Sequence, residues 1–229
     1  MSICQWITAH SGCEGTDENS WEHIHAAKSS GADVIEIDVR LNRQTLYLSH
    51  NLPETVEKCL TLEQCFREVS ASGMKINCDL KESNLEEWVL RLADQCGMRN
   101  RIILTGTVRP EFLADLPDWA MVSLNLECLL PEICGERIKG NPSLSFSERE
   151  KLLDKIRHFG VQSVNLNYRL LDSALLHDLC AEKIDISIWT INDSNLLQQY
   201  LQYPLQNITT RIPVEACIQR NRLLDKGIC

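Results

Sequence analysis

Eight times along the chain, a short run of β-branched and apolar residues gives way to a longer segment with apolar residues at i, i+3, i+4 spacing. The strand-like runs are Cys4–Ala9, Val34–Val39, Lys75–Leu80, Arg101–Leu104, Met121–Leu126, Ser163–Leu166, Asp185–Trp189 and Gln206–Thr209. The helix-like segments are Trp21–Ser30, Leu62–Ala71, Leu85–Cys96, Pro110–Leu116, Glu148–Phe159, Asp172–Glu182, Ser194–Tyr203 and Val214–Leu224, with Ser20 and Asp193 placed to cap two of them. Alternating strand–helix units build parallel sheets, either doubly wound and open or closed into a barrel. Eight units in 229 residues predict an α/β fold, a single (β/α)8 TIM barrel spanning residues 1–229. Thr45–His50 adds a short hairpin strand after the second one, with Asn42, Arg43 and Gln44 as its turn.

Hydrophobic residues make up 44% of the chain and charged residues 24%, enough apolar material for a sizeable core. A net charge of −9 argues against a nucleic-acid partner, which calls for a basic surface. An acidic protein that handles a phosphate ester needs local cations. The eleven cysteines include no zinc-like spacing, and Cys4, Cys65, Cys78, Cys96 and Cys180 fall in apolar runs, as small core residues of a protein in a reducing cytoplasm do. The opening SICQWITAH reads as a strand rather than a signal peptide, and no run reaches the length of a membrane span, so no integral membrane segment is expected. The loop rich in Gly, Pro and Ser, Cys128–Ser145, follows the fifth strand and is therefore the candidate lid or specificity loop.

The chemistry-bearing residues crowd into the first third of the chain. Glu36 and Asp38 are two apart on a strand otherwise written Val34, Ile35, Ile37, Val39, so both carboxylates point to one side. Two like charges in a confined space call for a cation between them, either a divalent ion such as Mg2+ or Ca2+ or a basic side chain. His10 ends the first strand and His50 the hairpin strand, which places two imidazoles near those carboxylates as an acid–base pair or as satisfied structural histidines. His23, His25, His158 and His177 lie on helices and are read as structural. Asp79 ends the third principal strand with Lys81 two residues on, the one as a third metal oxygen and the other facing a phosphate oxygen, or both as a structural ion pair.

The stretch AHSGCEGTDENSWEHIHAAKSSGADVIEIDVRLNRQTLYLSHN resembles the opening of the glycerophosphodiester phosphodiesterase family, whose pattern runs HRG, PENT, GADxIExDV and a hairpin ending in HD. INCDLKE resembles that family's NIExK strand and WTIND its WTVN segment, so the resemblance spans nearly the whole chain. It implies a TIM-barrel phosphodiesterase that releases glycerol 3-phosphate and an alcohol from a small-molecule phosphodiester. His10 and His50 would be its catalytic pair, Glu36, Asp38 and Asp79 its ligands for Mg2+ or Ca2+, and Lys81 and Trp189 its substrate-binding residues.

Departures from the pattern concentrate around the phosphate. Ser11 stands where the family has Arg, Asn51 where it has Asp, Asp79 where it has Glu, and Arg211 where ITDxP would place an Asp. The last strand closes a barrel beside the first, so loss of Arg at position 11 and gain of Arg211 read as a charge exchange between neighbours, or Arg211 is a surface residue near a strand end. The family's insertion after the second histidine is reduced to Leu52–Leu60, which implies a more open cleft. Three readings follow: an active phosphodiesterase on glycerophosphodiesters; a lysophospholipase D-like or other lipid headgroup enzyme, favoured if Leu129, Leu130, Pro131 and Ile133 form an exposed apolar rim; and a degenerate barrel that binds a phosphorylated ligand without turnover.

Overall fold

The computed structural model describes residues 5–132, 138–140 and 142–225. Its strands are β1 (Trp6–Ala9), β2 (Val34–Asn42), β3 (Thr45–Leu48), β4 (Lys75–Leu80), β5 (Ile102–Gly106), β6 (Ala120–Val122), β7 (Leu124–Asn125), β8 (Ser163–Asn167), β9 (Asp185–Trp189) and β10 (Asn207–Thr210). They pair in the order β6-β5-β4-β2-β1-β10-β9-β8-β7, all parallel, with β3 antiparallel on β2. The two ends of this order are halves of one crossing. β6 pairs with β5 and β7 pairs with β8, and Ser123 between them donates its N–H to the Leu104 carbonyl at 3.0 Å. The ring therefore closes as the predicted barrel, with the fifth strand broken at Ser123 rather than running through to Leu126.

The helices are α1 (Trp21–Ser29), α2 (Leu62–Ser70), α3 (Glu86–Gln95), α4 (Leu126–Leu129, one turn), α5 (Phe146–Phe159), α6 (Ser173–Ala181), α7 (Ser194–Tyr200) and α8 (Pro213–Asp225). None is long and apolar enough to cross a membrane. Ser20 and Asp193 cap α1 and α7 as expected: the Ser20 side chain accepts from His23 N–H, and that of Asp193 from Asn195 and Leu196. α2 shows the logic of the outer layer. Thr61 and Gln64 form a capping box, and Leu62, Cys65, Phe66 and Val69 are buried at helical spacing against the sheet. Pro110–Asp115, expected as an α-helix, is a 3-10 helix, because Pro110 starts it and Pro117 follows within two residues of its end.

Strand parity separates two interiors. Outward-facing residues such as Ile35, Ile37, Val39, Ile76, Cys78, Leu80 and Leu104 join the helices in one apolar core. The opposite parity fills the barrel with polar side chains that bond across strands. Thr8 donates to Asn207 at 2.7 Å and Asn207 to Ser187 at 2.9 Å. Thr105 donates to Asn77 at 2.9 Å, Asn77 to Glu36 at 3.2 Å, and the Ser123 and Ser163 hydroxyls meet at 2.9 Å. Inside a barrel each such group is satisfied by its neighbour rather than by water, which removes the cost of burying it.

Two expectations need correction. Leu129 and Leu130 are each only 1% exposed, so these two leucines turn into the core rather than form an exposed rim, while Pro131 is exposed and Ile133 lies outside the described residues. Among the cysteines, Cys65 and Cys78 are buried as read, Cys96 is half-buried, Cys180 is exposed because it lies on the solvent side of α6, and Cys4 lies outside the described residues. All eight cysteines among the described residues are free thiols.

Candidate active site

The inward-facing parity continues to the C-terminal end of the barrel, and there most of the polar residues give way to ionisable ones. His10 follows Thr8, Asp38 follows Glu36, Lys81 follows Asp79 and Trp189 follows Ser187, each two residues on. With Glu36, His10, His50, Asp79, Lys81 and Trp189 line a cleft of about 470 Å³ at this end of the barrel. Six of the seven residues selected from the sequence thus line one cavity, and Asp38, 2% exposed, lies directly behind them. The hairpin brings His50 in: β3 returns antiparallel to β2 and Ser49 N–H reaches the Asp38 carbonyl at 3.1 Å.

Asp38 is the hub. Asn19, held at φ 54°, donates from Nδ2 to Asp38 Oδ2 at 2.7 Å and accepts from the Asp38 backbone N–H at 2.9 Å. Lys81 Nζ lies 2.8 Å from Asp38 Oδ1 and 2.6 Å from Asp79 Oδ2, and His50 Nδ1 is 3.4 Å from Asp38 Oδ1. Burial works to raise the Asp38 pKa, but Lys81, Asn19 and His50 outweigh it and hold the carboxyl below its usual range. Asp79 goes the other way, its burial only partly offset by Lys81. Glu36 is pushed up to about 7 by burial, with the charges of Asp79 and Asp38 adding to it against His10 and Lys81.

Three carboxylates thus share one ammonium, and the surplus negative charge falls on Glu36. An all-oxygen donor set short of positive charge fits a hard divalent cation. Among the described residues, the ligand atoms that approach within 4.8 Å of one another belong to Glu18, Asp38 and His50, so Asp38 is common to this trio and to the one read from the sequence. Lys81, expected to face a phosphate oxygen, is engaged with two carboxylates instead.

Arg211 and Ser11 explain each other only in part. Ser11 is fully buried and its hydroxyl accepts from Asn19 N–H at 2.9 Å, so it ties down the loop that positions Asn19. Arg211 lies in the site rather than on an outlying surface: its Nε is 3.2 Å from His10 Nδ1, and its guanidinium pairs with Glu18. His10 Nδ1 also lies 2.7 Å from the Ser11 carbonyl, while Nε2 is 3.5 Å from Glu36 Oε1. The carbonyl calls for a hydrogen on Nδ1 and the guanidinium for a bare nitrogen, so two neighbours compete to set the tautomer of this ring. The reduced segment 52–60 contributes no lining residue to the cleft.

Sequence reading missed Gly106, Glu127 and the Asn19 contacts. It also treated His23 as an ordinary helical histidine. His23 is fully buried, neither ring nitrogen makes a well-formed hydrogen bond, and its pKa is lowered to about 4, first by burial and then by the nearby His10 charge. Below about pH 6.5 the unfolded chain takes up a proton that the folded chain refuses, so this residue erodes stability as pH falls toward 4. The loss amounts to about 3 kcal/mol. Glu36, with its raised pKa, acts in the opposite sense between about 4.5 and 7. The readout is therefore the difference between urea midpoints of wild type and His23→Phe at pH 7 and pH 4.5, and the variant is expected to lose less stability on acidification.

No protein-family model matches the chain by sequence, and no curated protein does. Solved structures do match in three dimensions. A glycerophosphodiester phosphodiesterase from Parabacteroides distasonis is 19% identical with a TM-score of 0.72, covering 97% of this chain and 99% of its own. One from Thermotoga maritima is 20% identical with a TM-score of 0.69, covering 94% and 97%. An Oleispira antarctica phosphodiesterase in complex with the product sn-glycerol-3-phosphate is 17% identical with a TM-score of 0.69, covering 94% and 96%. Over nearly its whole length, the chain has the barrel fold of the glycerophosphodiester phosphodiesterases.

Proposed function

We propose that this protein is a phosphoric diester hydrolase that converts glycerophosphodiesters to an alcohol and glycerol 3-phosphate. The observation that carries the reading is the convergence of His10, His50, Glu36, Asp79 and Lys81 on one cleft at the C-terminal end of the barrel, where enzymes of this architecture do their chemistry. The shared fold with phosphodiesterases supports it, and the product-bound Oleispira antarctica structure supports glycerol 3-phosphate as the product.

In this reading Glu36, Asp38 and Asp79 hold Mg2+ or Ca2+, which supplies positive charge to a phosphoryl oxygen when bound. His10 and His50 divide removal of a proton from the attacking oxygen and delivery of one to the departing alcohol. Lys81 keeps Asp38 ionised and holds Asp38 and Asp79 in place, and Trp189 walls the cleft on the side of β9. Arg211 biases the His10 ring through Nδ1 and partly restores the positive charge absent at position 11. Arg211→Ala is expected to lower kcat/KM by roughly tenfold, the worth of one charge-assisted hydrogen bond. Unchanged KM and kcat would remove Arg211 from the site's chemistry.

The deciding experiment is hydrolysis of glycerophosphocholine, glycerophosphoethanolamine, a lysophospholipid and bis-p-nitrophenyl phosphate, with added Mg2+, Ca2+ or Mn2+ and with EDTA. Activity on the glycerol esters that EDTA removes and metal restores is expected. No turnover of any ester under any metal would reject the enzyme reading and leave a ligand-binding barrel.

A further inference from the structure

The wall of the cleft formed by β5, β7 and β8 carries an acid that the proposed reaction does not use. Glu127 stands in α4, two residues beyond the inward-facing Asn125, and lines the cleft. Its Oε2 is buried without a hydrogen-bond partner; among the described residues that line the cleft, only Trp189, through Nε1, has another such atom. Burial raises the Glu127 pKa, a hydrogen bond from the residue's own backbone opposes the rise in part, and the Asp79 charge adds to it.

Other polar side chains on this wall already direct their hydrogens into the protein. Thr105 donates to Asn77 at 2.9 Å, Thr107 to the Leu80 carbonyl at 2.8 Å, Asn165 to Asn125 at 2.8 Å and Cys128 to the Gly106 carbonyl at 3.3 Å. Among the described residues, a group entering here meets the Asn125 amide and a Glu127 carboxylate with no cation beside it. Leaving such a carboxylate unpaired in a partly dry site costs several kcal/mol, a cost that a ligand cation removes.

We propose that Glu127 forms a subsite for the positively charged amine of an aminoalcohol esterified to the phosphate, which makes it a specificity-determining residue. This rests on the phosphodiesterase reading and deepens it by naming the substrate class. An ammonium with N–H donors satisfies the carboxylate directly, and a quaternary amine relies more on the Trp189 ring.

The test compares kcat/KM for glycerophosphoethanolamine and glycerophosphocholine with that for the uncharged glycerophosphoglycerol, in wild type and Glu127→Gln. Wild type is expected to prefer the amines, and the variant to lower that preference by about tenfold or more. Its Tm should hold or rise, because an unpaired buried carboxylate is gone. Should Gln lower the Tm, Glu127→Met removes the charge at similar volume. A wild type without preference for the amines, or a preference that survives both substitutions, overturns the proposal. If wild type cleaves none of the three esters, the enzymatic reading fails separately. Calorimetric binding of phosphoethanolamine then decides the subsite: weaker binding by Glu127→Gln than by wild type, with glycerol 3-phosphate as the reference, supports it, and equal binding overturns it.

Discussion

His10→Ala is expected to lower kcat for glycerophosphodiester hydrolysis by roughly 10² to 10⁴, the usual worth of a positioned general acid or base. The ring is half-buried at the cleft and its direct polar partners are the Ser11 carbonyl, Arg211 and Glu36. Its removal takes a countercharge from the buried Glu36, so a modest fall in Tm should accompany the loss of kcat. His50, whose side chain is 52% exposed, should give a loss of the same order with still less effect on folding. In the proposed mechanism the two imidazoles act as a pair, so the double variant should be little worse than the poorer single one. A His10→Ala enzyme within a few-fold of wild type would take this histidine out of the mechanism.

Gly106→Ala is the largest effect expected from a residue with no functional group. At φ +79° this glycine already sits where an L side chain is strained. A Cβ there would lie 2.2 Å from Asp79 Oδ1 and 2.3 Å from the Leu80 carbonyl oxygen. The second clash is with the backbone of a neighbouring strand, which no rotamer change relieves. Strain and overpacking together predict a destabilisation of roughly 2 to 5 kcal/mol in urea unfolding. Activity should fall further than stability, because displacement of Asp79 also disturbs its bridge through Lys81 to Asp38. Gly73→Ala is the control: its φ is +78° but nothing lies within 4 Å of the added carbon, so it isolates the conformational cost. Equal stabilities for the two variants would show that the Asp79 contact is unimportant.

The barrel was legible because strand and helix periods differ and alternate here with little interference, and the carboxylate pair because alternation on β2 sets Glu36 and Asp38 against Ile35, Ile37 and Val39. Glu127 escaped for the reason that makes it interesting. In LECLL it is the one acid in an apolar run, and nothing local says that Leu126, Leu129 and Leu130 face the core while it faces a cleft. Gly106 was invisible because its constraint is a contact with Asp79 on another strand, 27 residues earlier. Asn19 was part of a recognised motif, but its two bonds to Asp38 depend on a left-handed turn that sequence spacing does not specify. The break at Ser123 arises because one strand must leave its pairing with β5 to reach β8, a requirement of ring closure rather than of local propensity.

The polar lining of the barrel also bears on how the chain finds a single structure. Apolar interiors tolerate sliding, since one methyl group packs against another with small loss. In this barrel a strand displaced by one residue would turn its isoleucines toward Asn77, Asn207 and Ser187 and bury its own amides against the helices. Thr8, Asn77, Thr105 and Asn207 thus behave as the teeth of a key: each misaligned ring leaves several of them without a partner. The alignment that satisfies them is also the one that carries His10, Asp38 and Asp79 to a common rim.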